Sequence, residues 1–140
     1  MLPKFSKGNG PELWVIIMEK AWAKIHGSYD RIVSGVVYLT LRDLTGAPGF
    51  RINQIQKETD LFLKLLDWDK KGYLMSTSIH NQSDTDMKKW GLITGHAYSL
   101  IQAAEVKNNG KTIQLVKLRN PWGDHEWNGD WSDKSPLWTD

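Results

Sequence analysis

"GHAYSLIQAAEVKNNGKTIQLVKLRNPWG", Gly95 to Gly123, decides the fold. From His96 to Val106 and again from Thr112 to Asn120, the residues follow the two-residue period of strands. Between them stands "KNNGK", whose Asn109-Gly110 is a strong hairpin signal, because a tight hairpin turn needs two residues that tolerate positive φ. The two runs therefore read as antiparallel strands. Pro121 ends the second, since it has no N–H to give to a ladder.

The turn also sets which residues meet. Cross-strand partners have position numbers with a constant sum, which a turn centred on Asn108 to Gly110 places between about 216 and 219. His96 and Asn120 sum to 216, so they should lie opposite one another or within about three positions. A β-bulge would close the remaining offset. Gly95 leaves room for another backbone beside the histidine, and Trp122 is placed to cover a hydrogen bond between the pair.

Outward from the hairpin, the rest of the chain reads mostly as helices. In "GPELWVIIMEKAWAKIHG" (10–27), Leu13, Trp14, Ile17, Met18, Ala21, Trp22 and Ile25 recur at helical spacing, Pro11 suits a first turn and Gly27 a stop. Its broad apolar face is expected to be largely buried. "YLTLRDLTGAPG" (38–49) reads as a short helix ended by its Gly/Pro cluster, although Tyr38, Leu39 and Leu41 would also suit a strand. "ETDLFLKLLDWDKKG" (58–72) places Leu61, Phe62, Leu65, Leu66 and Trp68 on one helical side with Gly72 as terminator, and "YLMSTSI" (73–79) follows as a strand. Helices first and an antiparallel sheet after them make an α+β fold, expected as one domain over 1–140.

Composition narrows the function. Eighteen Lys and Arg against sixteen Asp and Glu give a net charge of +2 without basic blocks, which offers nothing to a nucleic acid or a membrane surface. No run approaches the ~18 apolar residues of a membrane span, and "MLPKFSKGNGPELW" has no apolar signal core, so an intracellular, cytoplasmic protein is expected. The chain has no cysteine, hence no disulfide, no thiolate metal site and no cysteine nucleophile of its own.

That exclusion matters because of what a His-Asn pair does. An asparagine oxygen can accept the Nδ1 proton of an imidazole and fix the tautomer without adding charge, leaving Nε2 to take a proton from a nucleophile. Serine enzymes usually place a carboxylate there. Thiol enzymes of the papain kind use Cys-His-Asn, because a thiolate already stabilises the imidazolium. The pair asks for a cysteine that this chain lacks.

At these residues the sequence resembles the calpain family of cysteine proteases. "GLITGHAYSLIQA" (91–103) is similar to that family's histidine segment, "LRNPWGDHEWNGDWSD" (118–133) to its asparagine segment, and "ELWVIIMEKAWAKIHGSY" (12–29) to the helix that opens the second half of its protease core. The resemblance implies the second lobe of a papain-like, two-lobed core: an antiparallel sheet with flanking helices, whose partner is a first lobe bearing the cysteine and whose substrates are polypeptides. His96 would be the general base and acid, Asn120 its orienter and Trp122 its shield, with Gly95 lining the substrate groove. It further implies Ca²⁺ in the parent enzyme, with Glu126 and Asp133 as two of its ligands. Two carboxylates fall short of the six to eight oxygens Ca²⁺ takes, and the family's other acidic ligands come later than Asp140. By this resemblance the chain is a piece of a longer protein, cut at both ends and inactive alone.

Other patterns imitate sites. "DWDKKGYLMS" sets Asp67, Asp69 and Gly72 at the first, third and sixth positions of an EF-hand loop, but the twelfth is Ser78, so a helix end is expected. "DHEWNGDWSDKS" fails likewise at Ser135. His26, His80 and His125 have no zinc spacing. Trp14, Trp22 and Trp68 lie on apolar helical faces and are expected in the core, while Trp127 and Trp131 sit in a loop. Two rival functions remain open: a non-catalytic, calpain-like binding or regulatory module, and a Trp-lined peptide or carbohydrate binder.

Overall fold

The computed structural model describes residues 4–8, 10–80 and 83–138. Met1, Thr139 and Asp140, on which the expected chain ends fall, lie outside the described residues. The chain divides into two compact units, Met1–Ala47 and Pro48–Asp140.

The first unit holds helices α1 (Trp14–Ile25) and α2 (Val37–Thr45), with a 3₁₀ turn at Tyr29–Ile32 between them. α1 begins after Pro11 rather than on it, with Leu13 at the N-cap. α2 ends where Gly46 turns left-handed at φ 73° and donates its N–H to Arg42 O at 2.7 Å. The expectation that α1 buries its apolar face is corrected here. Only Ala23 is buried, while Trp14 is 64% and Ile25 73% exposed. Within this unit α1 packs on the turn Tyr29–Ile32 and is bonded by the incoming segment Lys4–Ser6, too little surface to cover its stripe.

The second unit is α+β, as expected: α3 (Leu61–Lys70), β1 (Met75–Ser78), α4 (Asp84–Lys88), β2 (Ala97–Asn108) and β3 (Lys111–Arg119). The strands form one antiparallel sheet in the order β1-β2-β3. Along α3, Leu61, Phe62, Leu65, Leu66 and Trp68 are half-buried and Leu63, Lys64 and Asp67 are exposed, the one-sided pattern its spacing predicts. The helix ends at Gly72 (φ 71°), and Asp67 and Asp69 belong to its last turns rather than to a metal loop. Asp69 instead joins helix to sheet: its Oδ2 accepts the N–H of Ala103 at 3.1 Å, beyond the last β1 partner of β2, Leu100. α4 carries no pattern long enough to have been predicted.

The hairpin turns at Asn109 (φ 49°) and Gly110 (φ 77°), the paired positive values of a two-residue turn. From Asn108↔Lys111 to Gln102↔Lys117 partner numbers sum to 219, but Leu100↔Leu118 and Ser99↔Arg119 sum to 218. One residue, Ile101, is extra. This bulge decides the site, because a register change of one residue exchanges the faces of a strand. At 219, Asn120 would lie opposite Ser99; at 218 it falls opposite Tyr98 and on the face of His96. Burial follows the same switch: His96 and Tyr98 are buried before the bulge and Ala103 after it, with Ile101 and Gln102 exposed between.

Candidate active site

Gly95 sets the entry to the site. Its φ of 63° is one that L side chains rarely adopt, and its N–H donates to Ile79 O at 2.8 Å, tying the start of β2 to the end of β1. The space on its Cα is open: among the described residues, its two chain neighbours apart, no atom lies within 4 Å of where a Cβ would stand. The next residue, His96, is 8% exposed and lies edge-on to the ring of Tyr98, centroids 4.9 Å apart. Tyr98 is itself held in place, its hydroxyl oxygen accepting the N–H of Ile93 at 2.9 Å. Sequence reasoning passed over Tyr98, although its i+2 position from His96 on a strand puts the two on one face.

The structure brings His96 and Asn120 together. Imidazole Nε2 stands 2.8 Å from Asn120 Oδ1, and Asn120 is 9% exposed. An amide oxygen only accepts, so Nε2 is the donor of this bond and Nδ1 is the nitrogen turned away from Asn120. This reverses the expected assignment, in which Nδ1 faced the asparagine. The pair is diagonal rather than directly opposite, and the ring presents its far nitrogen to Asn120.

The amide orientation is fixed by its own neighbours. Asn120 Nδ2 donates to the carbonyl of Asp124 and, at 3.3 Å, to that of His125, while Oδ1 also accepts the backbone N–H of Trp122 at 3.0 Å. All four hydrogen-bonding positions of the amide are thus used, and only one orientation satisfies them. Pro121 and Gly123 (φ 73°) fold the chain back tightly enough for this, and His125 holds φ 62°. Trp122 lies over the imidazole with centroids 4.2 Å apart, covering one face of it while remaining 64% exposed itself.

Other sequence candidates separate from this group. Glu126 and Asp133 are exposed, and among the described residues no group of three or more His, Cys, Asp or Glu side chains could hold a metal ion. Two carboxylates do not make the donor set of Ca²⁺, so these residues alone do not fit it. The loop tryptophans use their rings on each other: Trp127 stacks on Trp90 at 5.5 Å, and Trp131 meets Trp138 edge-on at 4.9 Å. Trp22 and Trp68 are half-buried as helix-face residues, whereas Trp14 is not.

Chemically, the group is an imidazole with one nitrogen pinned to a neutral acceptor and the other without a hydrogen-bond partner among the described residues, with an indole ring 4.2 Å away. It can receive and return a proton at Nδ1; it contains no nucleophile.

Comparison with known proteins gives the family of the chain. The sequence profile described as "Calpain family cysteine protease" matches residues 3–140. The "Calpain-type cysteine protease DEK1" of Zea mays is 41% identical over 137 residues, covering 92% of this chain and 6% of that protein. "Calpain-9" of Mus musculus is 39% identical over 133 residues, covering 91% of this chain and 19% of that protein. "Calpain" of Schistosoma mansoni is 39% identical over 138 residues, covering 96% and 18%. The chain therefore spans less than a fifth of the length of these relatives.

Proposed function

The chain belongs to the calpain family of cysteine proteases, and from that premise we propose that it supplies the histidine and asparagine of a Cys-His-Asn proteolytic site whose cysteine stands on another lobe of a longer protein. The observation that carries this reading is the 2.8 Å bond from His96 Nε2 to Asn120 Oδ1, which leaves Nδ1 turned away from Asn120. In the assembled site Nδ1 takes the thiol proton. The thiolate adds to the peptide carbonyl, the imidazolium gives its proton to the leaving amine, and water deacylates the thioester with the imidazole again as base. Throughout, Asn120 holds the ring and Trp122 keeps water from that bond, while Gly95 leaves open space for a polypeptide substrate beside the histidine.

Apolar surface supports a covering lobe. Leu13, Trp14, Ile17, Met18 and Ile25 form one exposed stripe of α1, and Leu74 is 67% exposed in the second unit. Calcium dependence and a cytoplasmic location belong to the same proposal. Glu126 and Asp133 would contribute two carboxylates to a Ca²⁺ site completed from elsewhere, and a reducing compartment keeps a nucleophilic thiol free.

The test is hydrolysis of a fluorogenic peptide by the longer protein carrying this chain, with and without Ca²⁺. His96→Ala should abolish turnover and Asn120→Ala reduce it, with the 140-residue chain inactive by itself. Turnover by that chain alone, or turnover indifferent to His96→Ala, would overturn the proposal. Inactivity of the longer protein with no cysteine opposite His96 would favour a binding module instead.

A further inference from the structure

The segment leading into His96 and the segment leading away from Asn120 touch again at a second place, five residues before His96 and six after Asn120. Gly91, at φ 76°, lies so close to the backbone of Glu126 that a Cβ on it would fall 1.7 Å from Glu126 O and 2.6 Å from its carbonyl carbon. A residue with a side chain does not fit that approach. Beside it, Asn128 closes the contact twice: its backbone N–H donates to Trp90 O at 3.2 Å, and its Nδ2 donates to Lys89 O at 2.9 Å. Trp127 lays its ring on Trp90, and it can fold back only because Gly129 has no Cβ, which would stand 2.3 Å from that ring.

This contact bears on the orientation of Asn120. The carbonyls that hold the Asn120 amide belong to Asp124 and His125, immediately before Glu126. Within the run Gly123–His125 one backbone bond, from the Gly123 N–H to Asn120 O at 3.2 Å, closes the turn but stops short of the two carbonyls, and His125 takes a φ of 62°, uncommon for a residue with a side chain, so the aim of its carbonyl is open to constraint from outside the run. The constraint enters at Glu126–Asn128, where the loop is pinned to the turn at residues 89–91.

We propose that Gly91 and Asn128 are positioning residues for the His96–Asn120 pair: by docking the loop after Asn120 onto the turn before His96, they aim the Asp124 and His125 carbonyls and so keep Oδ1, not Nδ2, facing the imidazole. The inference rests on the proposed role of that pair for its functional consequence. Its direct readout is the ring N–H and needs no protease activity. Loss of the clamp frees the amide to turn over. The imidazole then loses its fixed tautomer, because an amide NH₂ facing Nε2 demands the opposite protonation of the ring.

The test uses the 140-residue chain labelled with ¹⁵N at histidine, in which a proton held on Nε2 is seen as a slowly exchanging ring N–H. Asn128→Ala removes one donor, and Gly91→Ala forces the loop off. Each should speed exchange of the His96 Nε2 proton about tenfold or more and move the two ring nitrogens toward a tautomer mixture. The amide pattern of the β2–β3 hairpin should be retained. Trp138→Ala, which removes an aromatic contact elsewhere in the same C-terminal region, controls for general loosening and should leave the ring signal in place. If Gly91→Ala does not fold, Asn128→Ala decides. A ring proton in Asn128→Ala exchanging within about twofold of the parent, or one lost equally in Trp138→Ala, would overturn the inference. An inactive longer protein with a normal ring signal would instead count against the proposed function and leave the clamp standing.

Discussion

Asn120 shares a face with His96 because β2 accommodates one extra residue, Ile101, between Leu100↔Leu118 and Gln102↔Lys117. Two side chains 24 residues apart, one just before β2 and the other just after β3, thereby come to 2.8 Å. Deleting Ile101 should therefore be tolerated. The flanking pairs close into a regular ladder with the same partners, and a side chain already 48% exposed is lost. The expected result is a His96 ring N–H still protected from exchange and a stability change within about 1 kcal/mol. Disappearance of that signal in a folded deletion variant would show that the bulge supplies more than register.

Asn120 is also the residue whose replacement should cost most at the site. An aspartate has the same shape but no N–H, so it would turn a carboxylate oxygen toward the carbonyls of Asp124 and His125. Asn120→Asp should lower stability by ~1–3 kcal/mol, as expected when buried partners lose their hydrogen bonds. The urea midpoint measures it. A midpoint equal to that of the parent chain would mean that those carbonyls are satisfied elsewhere.

These two residues also mark how far the sequence could be read. The hairpin was legible because Asn109-Gly110 and strand alternation are local signals, and the meeting of His96 with Asn120 followed from counting. The choice of ring nitrogen was not legible. It depends on how the imidazole is turned between the rings of Tyr98 and Trp122, both set by tertiary packing. The clamp at Gly91 was hidden for a similar reason: one glycine in "WGL" does not announce a partner 35 positions later. The spacing of α1 correctly gave a helix but misjudged its burial, because periodicity reports which face is apolar and not whether anything covers it.

Asp69 offers a direct check on how the helix is attached to the sheet. In sequence it imitates the third position of a calcium loop, whereas its carboxylate caps the N–H of Ala103, itself 5% exposed. Asp69→Ala should destabilise the second unit by ~1–3 kcal/mol, because a part-buried N–H is left without a partner. Asp69→Asn keeps an accepting oxygen and should recover much of the loss. Calcium added to the parent chain should leave the Ala103 amide resonance unmoved. A calcium-dependent shift there would return Asp69 to the role its spacing suggested.

Tyr98 stands beneath His96 and is 4% exposed. Removing only its hydroxyl separates two contributions, since Tyr98→Phe keeps the edge-on contact with the imidazole and deletes the acceptor for Ile93 N–H. That N–H lies in the short connection between the clamp at Gly91 and the start of β2. The variant should lose ~1–3 kcal/mol in denaturant unfolding, and hydrogen exchange should quicken first at Ile93. Unchanged protection at Ile93 would show that the connection is held by its other bonds, Leu92 N–H to Met87 O and Gly95 N–H to Ile79 O, without the tyrosine hydroxyl.

The last prediction concerns the first unit and its dependence on pH. Glu19 on α1 receives the backbone N–H groups of Lys4, Phe5 and Ser6, at 2.9 Å from Lys4 and 3.2 Å from Phe5. Desolvation alone would raise its pKa, but hydrogen bonding at Ser6 and the N–H groups of Lys4 and Phe5 outweighs it. The carboxyl is therefore held below the ordinary glutamate value of 4.5. A lowered folded-state pKa means that the latch contributes fully above the ordinary value and is lost as the pH falls through the folded one. Amide shifts of Lys4, Phe5 and Ser6 should titrate together, with a single midpoint below 4.5, while those of the β2–β3 hairpin stay flat over the same range. Glu19→Gln keeps an accepting oxygen but not the charge, so it should abolish the titration and leave these amides at intermediate shifts at every pH. Midpoints above the ordinary value would mean that burial wins over the three donors, and the segment before α1 would then be fixed to the helix by something other than this carboxylate.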